Sequence, residues 1–330
     1  MKFFDNSRLD LFRTCPLKYC LRHKKGWCSE RPNHAPGFGS CVHAGLEKVY
    51  LGVKEGDLDI NSLWDKANAA FDAEWIEREM PLLNDPSTEE FKRLEKPGRL
   101  PAHAKDLFFN YLQKYLPWME KIEVMHVEKP YVVKAPVDYD EDIYLTGRYD
   151  LVYRDKQGIW IKDHKTSTLY RADNKKTGVT RGFQWKFSAR WILDPQVEQY
   201  TWSAVQKWGK DVRGMIIDGL CNHKVHHDIF KEIPVIVDQQ GLRAFERDIQ
   251  YWIKQIMELE ADNDEFSTNW PRNLSGCQTP YGFCEFHGAC SVLPNPQILQ
   301  APPEGLKVEH WTPFDEVLLE KLITEEKEGV

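Results

Sequence analysis

Two neighbouring segments of the chain, residues 145–153 and 158–166, carry charged side chains at spacings that suit phosphate chemistry. Asp150 lies in the first segment, and Asp163 and Lys165 lie in the second. Successive strand residues point to opposite faces, so Asp163 and Lys165 would share one face of a strand. If the two segments pair as a hairpin, Asp150 can lie close to that pair. Two carboxylates can hold a hard cation, and a lysine can neutralise a phosphate or position water, which is what metal-assisted hydrolysis of a phosphodiester requires.

The same charged residues also have a plainer interpretation, a solvated hairpin face with a weak surface ion pair. Three apolar residues, Ile159, Trp160 and Ile161, come shortly before Asp163 and indicate a strand that is buried on at least one face. Charges at the end of a buried strand are unfavourable unless they are paired or bind metal. The context therefore favours a metal site.

The elements that must position these residues follow from hydrophobic periodicity and from turn and capping signals. The predicted strands cover residues 122–134, 143–154 and 158–166, with a further hairpin at 212–222 and 225–237. The predicted helices cover residues 7–24, with Ser7 as N-cap, and residues 39–51, 63–78, 89–116, 195–208 and 242–260. This pattern predicts an α/β protein, with a mostly helical N-terminal region wrapped onto a central mixed sheet.

Four short motifs, in the expected order, resemble those of the PD-(D/E)XK nucleases, in the branch typified by the RecB nuclease domain. Gly147-Arg-Tyr-Asp150 and Asp163-His-Lys165-Thr resemble the two central motifs. Upstream, Gly37-Phe-Gly-Ser-Cys-Val-His43 resembles the Gly-x-x-(V/L)-His motif, and downstream, Gln196-Val-Glu-Gln-Tyr200 resembles the Gln-x-x-x-Tyr motif. The resemblance implies a restriction-endonuclease-like fold, a central mixed sheet flanked by helices, and a metal-dependent nuclease.

The resemblance also implies a divalent-metal site. His43, Asp150 and Asp163 are its expected side-chain ligands, and the backbone carbonyl of His164 is an expected further ligand. Carboxylates and carbonyls suit Mg²⁺, and an imidazole ligand favours Mn²⁺ beside it. Glu128, in the preceding strand, could assist a metal, but a solvated strand carboxylate is the favoured interpretation.

Three further residues receive catalytic roles from the resemblance. Lys165 is expected to orient or activate the attacking water and to stabilise charge that develops on the phosphate. Gln196 and Tyr200 stand four residues apart, so on a helix they share a face. They are expected to position Lys165 or to contact the DNA backbone.

Four cysteines form a separate candidate metal site that joins the two ends of the chain. Cys15 lies near the N-terminus, and Cys277, Cys284 and Cys290 cluster near the C-terminus. Four thiolates can hold a [4Fe–4S] cluster or a tetrahedral zinc. The resembled branch includes AddB-type and CRISPR-associated nucleases, in which one N-terminal and three C-terminal cysteines hold an iron–sulfur cluster.

The spacing of these cysteines departs from the family pattern, in which Cys-x-x-Cys begins the C-terminal trio. Here six residues separate Cys277 from Cys284. An iron–sulfur cluster is the preferred interpretation, zinc the second and unligated cysteines the third. A metal clip across about 260 residues would stabilise the fold, so a structural role is expected. The other four cysteines have no ligand spacing and are expected to be buried or free thiols in a reducing cytosol: Cys20, Cys28, Cys41 and Cys221.

Cations are unevenly distributed in this chain of net charge −7. From Lys165 to Arg190 there are seven Lys or Arg against one acid, Asp173, and aromatic residues lie between them. Cations interleaved with aromatics suit a groove that follows phosphates while bases stack on rings. A mobile loop is the alternative interpretation. The residues predicted to contact DNA are Arg171, Lys175, Lys176, Arg181, Trp185, Lys186 and Arg190.

The chain is predicted to have four consecutive segments. They are a helical N-terminal region with the first cysteine and the His motif (1–120), a nuclease core (121–262), a Cys-rich segment (263–300) and an acidic tail helix (301–330). The tail helix could dock on the body or bind a partner, and docking is the favoured interpretation. No apolar run approaches a membrane span, and the N-terminus has no secretory pattern. A cytoplasmic or nucleoid-associated protein, neither secreted nor bound to a membrane, is therefore expected.

The combined signals predict a metal-dependent DNA nuclease, an exonuclease on single strands or DNA ends, acting in repair, recombination, phage DNA metabolism or CRISPR adaptation. Two alternatives stay open, a structure-selective endonuclease and a non-catalytic nucleic-acid-binding scaffold. The intact set of Asp150, Asp163 and Lys165 argues against the scaffold. The sequence has no Walker A motif, so helicase activity would come from a partner, a helicase or recombination protein.

Overall fold

A computed structural model describes residues 1–30, 34–81, 85–174, 176, 179–261, 269–279, 282–310, 314 and 316–328. The chain divides into two units, each assembled from segments that are distant in sequence. The terminal unit comprises Met1–Pro32, Tyr131–Gly147 and Gln239–Val330, and the central unit comprises Asn33–Pro130 and Arg148–Asp238. The division into four consecutive segments stays a prediction.

The described residues form strands and helices in both units. The strands are β1 (Lys2–Asp5), β2 (Trp27–Ser29), β3 (Glu123–Lys134), β4 (Ile143–Arg154), β5 (Ile159–Ser167), β6 (Tyr170–Arg171), β7 (Gly182–Phe183), β8 (Val212–Cys221), β9 (Phe230–Val235), β10 (Gln278–Thr279), β11 (Gly282–Phe283) and β12 (Leu306–Val308). The helices are α1 (Asn6–Thr14), α2 (Pro16–Tyr19), α3 (His34–Lys54), α4 (Ile60–Glu77), α5 (Glu89–Glu95), α6 (Pro101–Met119), α7 (Trp185–Ala189), α8 (Pro195–Trp208), α9 (Gln239–Ala261), α10 (His287–Val292) and α11 (Glu316–Glu328). A π-helical turn, Cys20–Lys24, follows α2.

A mixed β-sheet forms the centre of the central unit. β4 pairs with β3, and it runs antiparallel to β5 with Val152 opposite Ile161. β5 runs parallel to β8 with Asp163 opposite Ile217, and β8 runs antiparallel to β9. The mixed sheet is the one that the sequence predicted, although β9 begins later than predicted, at Phe230.

Three helices of the central unit, α3, α4 and α6, pack together on this sheet. Leu46 of α3, Phe71 of α4 and Phe108 of α6 are almost fully buried in one apolar core, which also includes Trp160 of β5. Gly45 allows α6 to approach α3, because a Cβ atom at that position would overlap the Phe108 ring. This packing fixes α3, the helix of the upstream histidine motif, against β5.

The N-terminal segment differs from the single continuous helix predicted there. Asp5, not Ser7, caps α1, because its Oδ1 accepts the backbone N–H of Arg8 at 2.7 Å. α1 then ends at Cys15, whose backbone is extended (φ −166°, ψ 113°), and Pro16 begins α2. Proline lacks an N–H and disfavours a helical conformation in the residue before it, so Pro16 explains the break.

The long helix predicted before the sheet is also divided, into α5 and α6. The chain turns at Gly98, whose φ of +71° is left-handed. The backbone N–H of Arg99 donates to the Leu94 carbonyl at 2.8 Å, and Pro101 is the first residue of α6. Glycine after one helix and proline at the start of the next are the residue types expected at such ends.

The terminal unit joins the two ends of the chain. β1 runs parallel to the first residues of β4, with Phe3 opposite Tyr144. Leu322 and Ile323 of α11 pack against Val132 and Tyr144, which agrees with the predicted docking of the tail helix. Among the described residues, no helix combines the length and the apolar character needed to cross a membrane.

Candidate active site

Asp150, Asp163 and Lys165 come together in the central unit where β4 and β5 pair. Oδ2 of Asp150 accepts the backbone N–H of His164 at 2.8 Å. Nζ of Lys165 forms an ion pair with Oδ2 of Asp163 at 2.6 Å. Both aspartates are buried, and Lys165 is about a quarter exposed. The antiparallel pairing and the strand alternation therefore bring together the three side chains that the sequence selected.

His43 reaches this group from α3. Its Nε2 lies 2.8 Å from the backbone carbonyl oxygen of His164, and its Nδ1 lies 3.3 Å from Oδ2 of Asp150. The imidazole thus touches two of the other predicted metal ligands, one through each ring nitrogen. Gly39, in the same motif, lies next to Thr166 of β5. A Cβ atom added to Gly39 would be 3.5 Å from Oγ1 of Thr166, which is an ordinary contact distance. The upstream motif is therefore part of the site.

Glu128 of β3 is a member of the site that the sequence assigned to solvent. Its side chain is 15% exposed, and its Oε1 lies 4.0 Å from Nδ1 of His43. Its Oε2 pairs with Nε of Arg148 at 2.7 Å. One ligand atom each from His43, Glu128 and Asp150 lie within 4.8 Å of one another. An imidazole and two carboxylates are a donor set that suits Mn²⁺ or Mg²⁺.

The backbone of Glu128 is unusual for a strand residue, with φ of +46°. A non-glycine residue in this left-handed region is uncommon and costs roughly 1 kcal/mol or more, and such residues concentrate at functional sites. Strand periodicity gives no sign of this conformation. The only signal in the sequence is an acid in the strand before the motif, which is too common to select.

The pKa values in the site show how strongly its charges depend on one another. Burial would lower the pKa of His43, but the Asp150 carboxylate raises it to about 9. Burial would raise the pKa of Asp150, but His43 and Lys165 hold it well below its usual range. Burial and the Asp150 charge raise the pKa of Glu128 to about 7, and burial raises the pKa of Asp163 against the opposing charge of Lys165. A bound cation would replace the proton on His43 as the balancing charge.

Gln196 and Tyr200 lie on α8, as predicted, but they make different contacts. Nε2 of Gln196 donates to Oδ1 of Asp163 at 3.1 Å. The Tyr200 ring packs edge-on against Tyr149, with 5.7 Å between ring centroids, and its backbone carbonyl accepts the Ser203 hydroxyl at 3.1 Å. The structure therefore brings Gln196 to the acidic pair, while the roles of both residues stay predictions.

Trp191, which is not among the residues predicted to contact DNA, links the basic segment to the site. Its ring is buried, with Nζ of Lys165 5.8 Å and the Arg190 guanidinium 4.3 Å from the ring centroid. Two cations over one aromatic ring are a stabilising arrangement when water is excluded. Trp191 directly follows the stretch that was predicted to bind DNA. The signal in the sequence that could have selected it is an aromatic residue next to cations.

The other predicted DNA contacts that the structure describes lie on the surface of the central unit. Arg171, Arg181 and Trp185 line an open cavity of about 370 Å³, together with Lys231. Trp185 is 77% exposed. Arg181 is also paired with Asp228 at 2.5 Å. Lys176, Lys186 and Arg190 are exposed, and Lys175 lies outside the described residues.

The opposite face of β5 holds a second group of charges, which the sequence did not predict. Lys162 is fully buried, with Nζ 2.6 Å from Glu232 and 3.6 Å from Asp218. Asp218, also fully buried, accepts Nδ1–H of His164 at 2.9 Å and the Tyr111 hydroxyl at 2.5 Å. The side chain of His164 therefore belongs to this network, while its backbone N–H and carbonyl face the site.

In the terminal unit, the four cysteines selected from the sequence line one cavity of about 270 Å³: Cys15, Cys277, Cys284 and Cys290. β10 and β11 form a hairpin between two of them, so that the Cys284 N–H donates to the Cys277 carbonyl at 2.9 Å. The pairing of these two strands brings Cys277 and Cys284 together although six residues separate them in the sequence. The Asn273 N–H approaches Sγ of Cys15 at 3.4 Å, which joins the two ends of the chain.

The cysteine cavity suits a thiolate-ligated group by the chemistry of its donors. Burial and the neighbouring sulfurs of Cys284, Cys15 and Cys277 raise the pKa of Cys290 to about 11. A metal would deprotonate such thiols, and four sulfurs suit either a [4Fe–4S] cluster or a tetrahedral zinc. All eight cysteines are free of disulfide bonds. Outside the cavity, Cys20, Cys41 and Cys221 are buried and Cys28 is half-buried.

A mixed sheet whose paired strands present two aspartates and a lysine, with a histidine from a neighbouring helix, is the arrangement of a metal-dependent hydrolase. A family model described as "PD-(D/E)XK nuclease superfamily" matches residues 6–291. The chain therefore belongs to the PD-(D/E)XK nuclease superfamily, as the resemblance of its motifs predicted. Nucleases of this superfamily use divalent metals, and they hydrolyse phosphodiester bonds.

A solved structure shares the fold. A protein from Eubacterium rectale described as a "putative exonuclease" matches with a TM-score of 0.51 and 13% identity, over 92% of this chain and 91% of its own. At that identity the likeness shows the fold alone. SSO0001 matches with a TM-score of 0.26 and 15% identity, over 61% of this chain and 78% of its own, which is too low to support an argument. No curated protein matches the chain.

Proposed function

We propose that this nuclease cleaves DNA as an exonuclease on single strands or DNA ends, with Mg²⁺ or Mn²⁺ as its cofactor. The observation that carries the proposal is the convergence of His43, Asp150, Asp163 and Lys165 at the paired ends of β4 and β5. His43, Asp150, Asp163 and the carbonyl of His164 would hold the cation. When bound, the cation would neutralise charge on the scissile phosphate and favour ionisation of a nearby water.

Lys165 acts as a cation in this proposal. Burial would lower the pKa of Lys165, but Asp163 and Asp150 raise it, so the ammonium group keeps its proton at neutral pH. It therefore orients water and stabilises charge on the phosphate, and it does not act as the base. The ion pair with Asp163 and the hydrogen bond from Gln196 to Asp163 fix its position.

Single-stranded DNA is the substrate that the surface around the site favours. Trp185 presents an exposed ring for base stacking, and Arg171 and Arg181 provide charge for phosphates. Ile192 and Leu193, which directly follow Trp191, are 67% and 85% exposed and offer apolar contact to bases. Stacking on exposed rings requires unpaired bases. A structure-selective endonuclease is the alternative, and the products of cleavage distinguish the two.

The cysteine cavity is proposed to hold a [4Fe–4S] cluster with a structural role, with zinc as the alternative. Cys15 and the three C-terminal cysteines would be its ligands. Iron and acid-labile sulfide analysis of protein purified without oxygen tests this assignment, with zinc analysis of the same sample. Removal of the cluster should lower the melting temperature, because the clasp closes a loop of most of the chain.

The protein is further proposed to act inside the cell on DNA during repair, recombination, phage DNA metabolism or CRISPR adaptation, with a helicase or recombination protein as partner. A non-catalytic scaffold would need no intact set of Asp150, Asp163 and Lys165, and this set is assembled.

The deciding experiment is cleavage of end-labelled single- and double-stranded DNA with Mn²⁺ or Mg²⁺. Wild type should cleave single strands from an end, and Asp163→Ala should not. Asp65→Ala, an exposed aspartate on α4, is the matched control and should cleave like wild type. A stepwise ladder from one end indicates an exonuclease, and internal fragments at early times indicate an endonuclease. No cleavage by folded wild type with either metal would leave the scaffold as the better interpretation.

A further inference from the structure

We propose that Glu128 is a direct ligand of the catalytic cation, together with His43 and Asp150. This inference deepens the proposed function and rests on it. The residues that the motifs select as metal ligands are His43, Asp150, Asp163 and His164, so Glu128 is an addition from the geometry of this chain. It lies in β3, before the first central motif.

The first support is the separation of the donor atoms. His43, Glu128 and Asp150 each offer one atom, and the three atoms lie within 4.8 Å of one another. Ligand bonds of about 2.0–2.2 Å place two ligands of one cation at most about 4.4 Å apart. Small side-chain rotations therefore suffice to bring all three atoms onto one cation.

The second support is that the two carboxylate oxygens of Glu128 face different neighbours. Oε2 pairs with Nε of Arg148 at 2.7 Å, while Oε1 faces Nδ1 of His43 at 4.0 Å. Arg148 thus holds the carboxylate from the outside and leaves one oxygen directed at the imidazole. Metal-binding carboxylates commonly have a further polar partner behind them, and the ion pair with Arg148 is in that position.

The third support is the backbone of Glu128. Glu128 and Glu79 are the non-glycine residues with positive φ in the described part of the chain, at +46° and +50°. Glu79 follows the C-terminus of α4, where a left-handed residue is an ordinary way to end a helix. Glu128 has no such local reason, since it lies inside a strand. A strained residue that directs its side chain at a cluster of donors indicates a function for that side chain.

Asp163 contrasts with Glu128 in its partners. Oδ2 of Asp163 is paired with Lys165, and Oδ1 accepts a hydrogen bond from Gln196. Both oxygens of Asp163 are therefore engaged by residues with proposed roles in handling the phosphate. Glu128 therefore adds a carboxylate to the cation site beside His43 and Asp150, and Asp163 also joins that site to Lys165.

The test is the affinity for Mn²⁺ without DNA, followed by the electron paramagnetic resonance signal of free Mn²⁺. Glu128→Gln keeps the size of the side chain and should weaken Mn²⁺ binding at least about 10-fold. Glu79→Gln is the matched control, because it makes the same change in a residue with the same backbone conformation away from the cluster. It should bind Mn²⁺ as wild type does.

Melting temperatures measured with a chelator and again with Mn²⁺ separate the two possible roles of Glu128, a metal ligand or only a structural partner of Arg148. A ligand gives weaker Mn²⁺ binding and a smaller Mn²⁺-induced rise in melting temperature in Glu128→Gln. Equal Mn²⁺ affinity in Glu128→Gln and wild type overturns this inference and leaves the nuclease proposal standing. A wild type that binds no Mn²⁺ and no Mg²⁺ overturns the metal-dependent function itself.

Discussion

The two faces of β5 carry the same kinds of residue and treat charge in different ways. On the site face, Asp163 pairs with Lys165, which is about a quarter exposed. On the reverse face, Lys162 is fully buried between Asp218 and Glu232, and the Trp118 ring lies 4.2 Å from its ammonium nitrogen. Alternation along one strand therefore produces an accessible pair and an enclosed pair.

A buried charge is therefore not by itself a sign of catalysis. Lys162 and Asp218 are fully buried among Tyr111, Tyr115 and Trp118, and only their partner Glu232 reaches the solvent. On the site face, the proton on His43 can give way to a cation. His164 contacts both groups of charges. Its side chain is hydrogen-bonded to Asp218, its backbone N–H donates to Asp150, and its carbonyl oxygen lies next to Nε2 of His43. The buried group on the reverse face therefore helps to hold the backbone of the site in position.

Asp163→Asn disrupts the site face and should reduce activity more than the other substitutions. It should lower kcat about 10³-fold, or about 4 kcal/mol in the activation barrier, because it weakens the cation site and the anchor of Lys165. Initial rates on labelled single-stranded DNA measure this effect. Asp218→Asn is the matched change on the reverse face and should stay within about 10-fold of wild type well below its melting temperature. Equal losses in both variants would show that the faces are not functionally distinct.

The free energy of unfolding should rank the same two variants in the opposite order, with the larger loss in Asp218→Asn. Asp218→Asn removes a buried partner of Lys162 and should lower the free energy of unfolding by about 3 kcal/mol. Asp163→Asn relieves the burial of a carboxylate whose pKa is raised, so its loss should be below about 1 kcal/mol. Urea denaturation with tryptophan fluorescence as the signal measures both. If Asp218→Asn loses less stability than Asp163→Asn, the buried pair of Lys162 and Asp218 does not have the stabilising role expected of it.

Local sequence rules predicted the site face well, for physical reasons. The period of two along a strand determines that Asp163 and Lys165 share a face, and an apolar run before them indicates burial. The motif spacing placed His43 and Gln196 in the same region, and both contact the predicted residues. A proline after Cys15 gave the signal for a break in the first helix, which the predicted continuous helix overlooked.

The reverse face and Glu128 could not be predicted, because their causes are not local. Lys162 looks like a surface residue until β8 supplies Asp218 and β9 supplies Glu232. The left-handed backbone of Glu128 depends on the tertiary setting of β3 and has no propensity signal in a glutamate. The closeness of Cys277 and Cys284 likewise required the hairpin between them. Long-range partners decide these features, and a single sequence does not display them.

The free energy of unfolding, measured as a function of pH without divalent metal, tests the charges on the site face. Burial and the charge of Asp150 raise the pKa of Glu128 from 4.5 to about 7 in the folded protein. The folded state then binds more protons than the unfolded state between these values, so stability falls as the pH rises through them, by up to about 3 kcal/mol. Urea denaturation from pH 4.5 to 7 with chelator measures the fall. Glu128→Gln should show a flatter profile, and an unchanged slope would exclude Glu128 as its source.

The reverse face should respond to pH with the opposite sign and in a lower window. Burial would raise the pKa of Asp218, but Lys162 and His164 hold it down at about 2, below its ordinary value of 3.8. The unfolded state then binds more protons, so Asp218 contributes stability that is fully present above pH 3.8 and is lost as the pH falls towards 2, by about 2 kcal/mol. The difference in unfolding free energy between wild type and Asp218→Asn should therefore shrink by about that amount between pH 5 and pH 2. If the difference is as large at pH 2 as at pH 5, Asp218 is not held as a carboxylate, and the enclosed face is stabilised by packing instead of by charge.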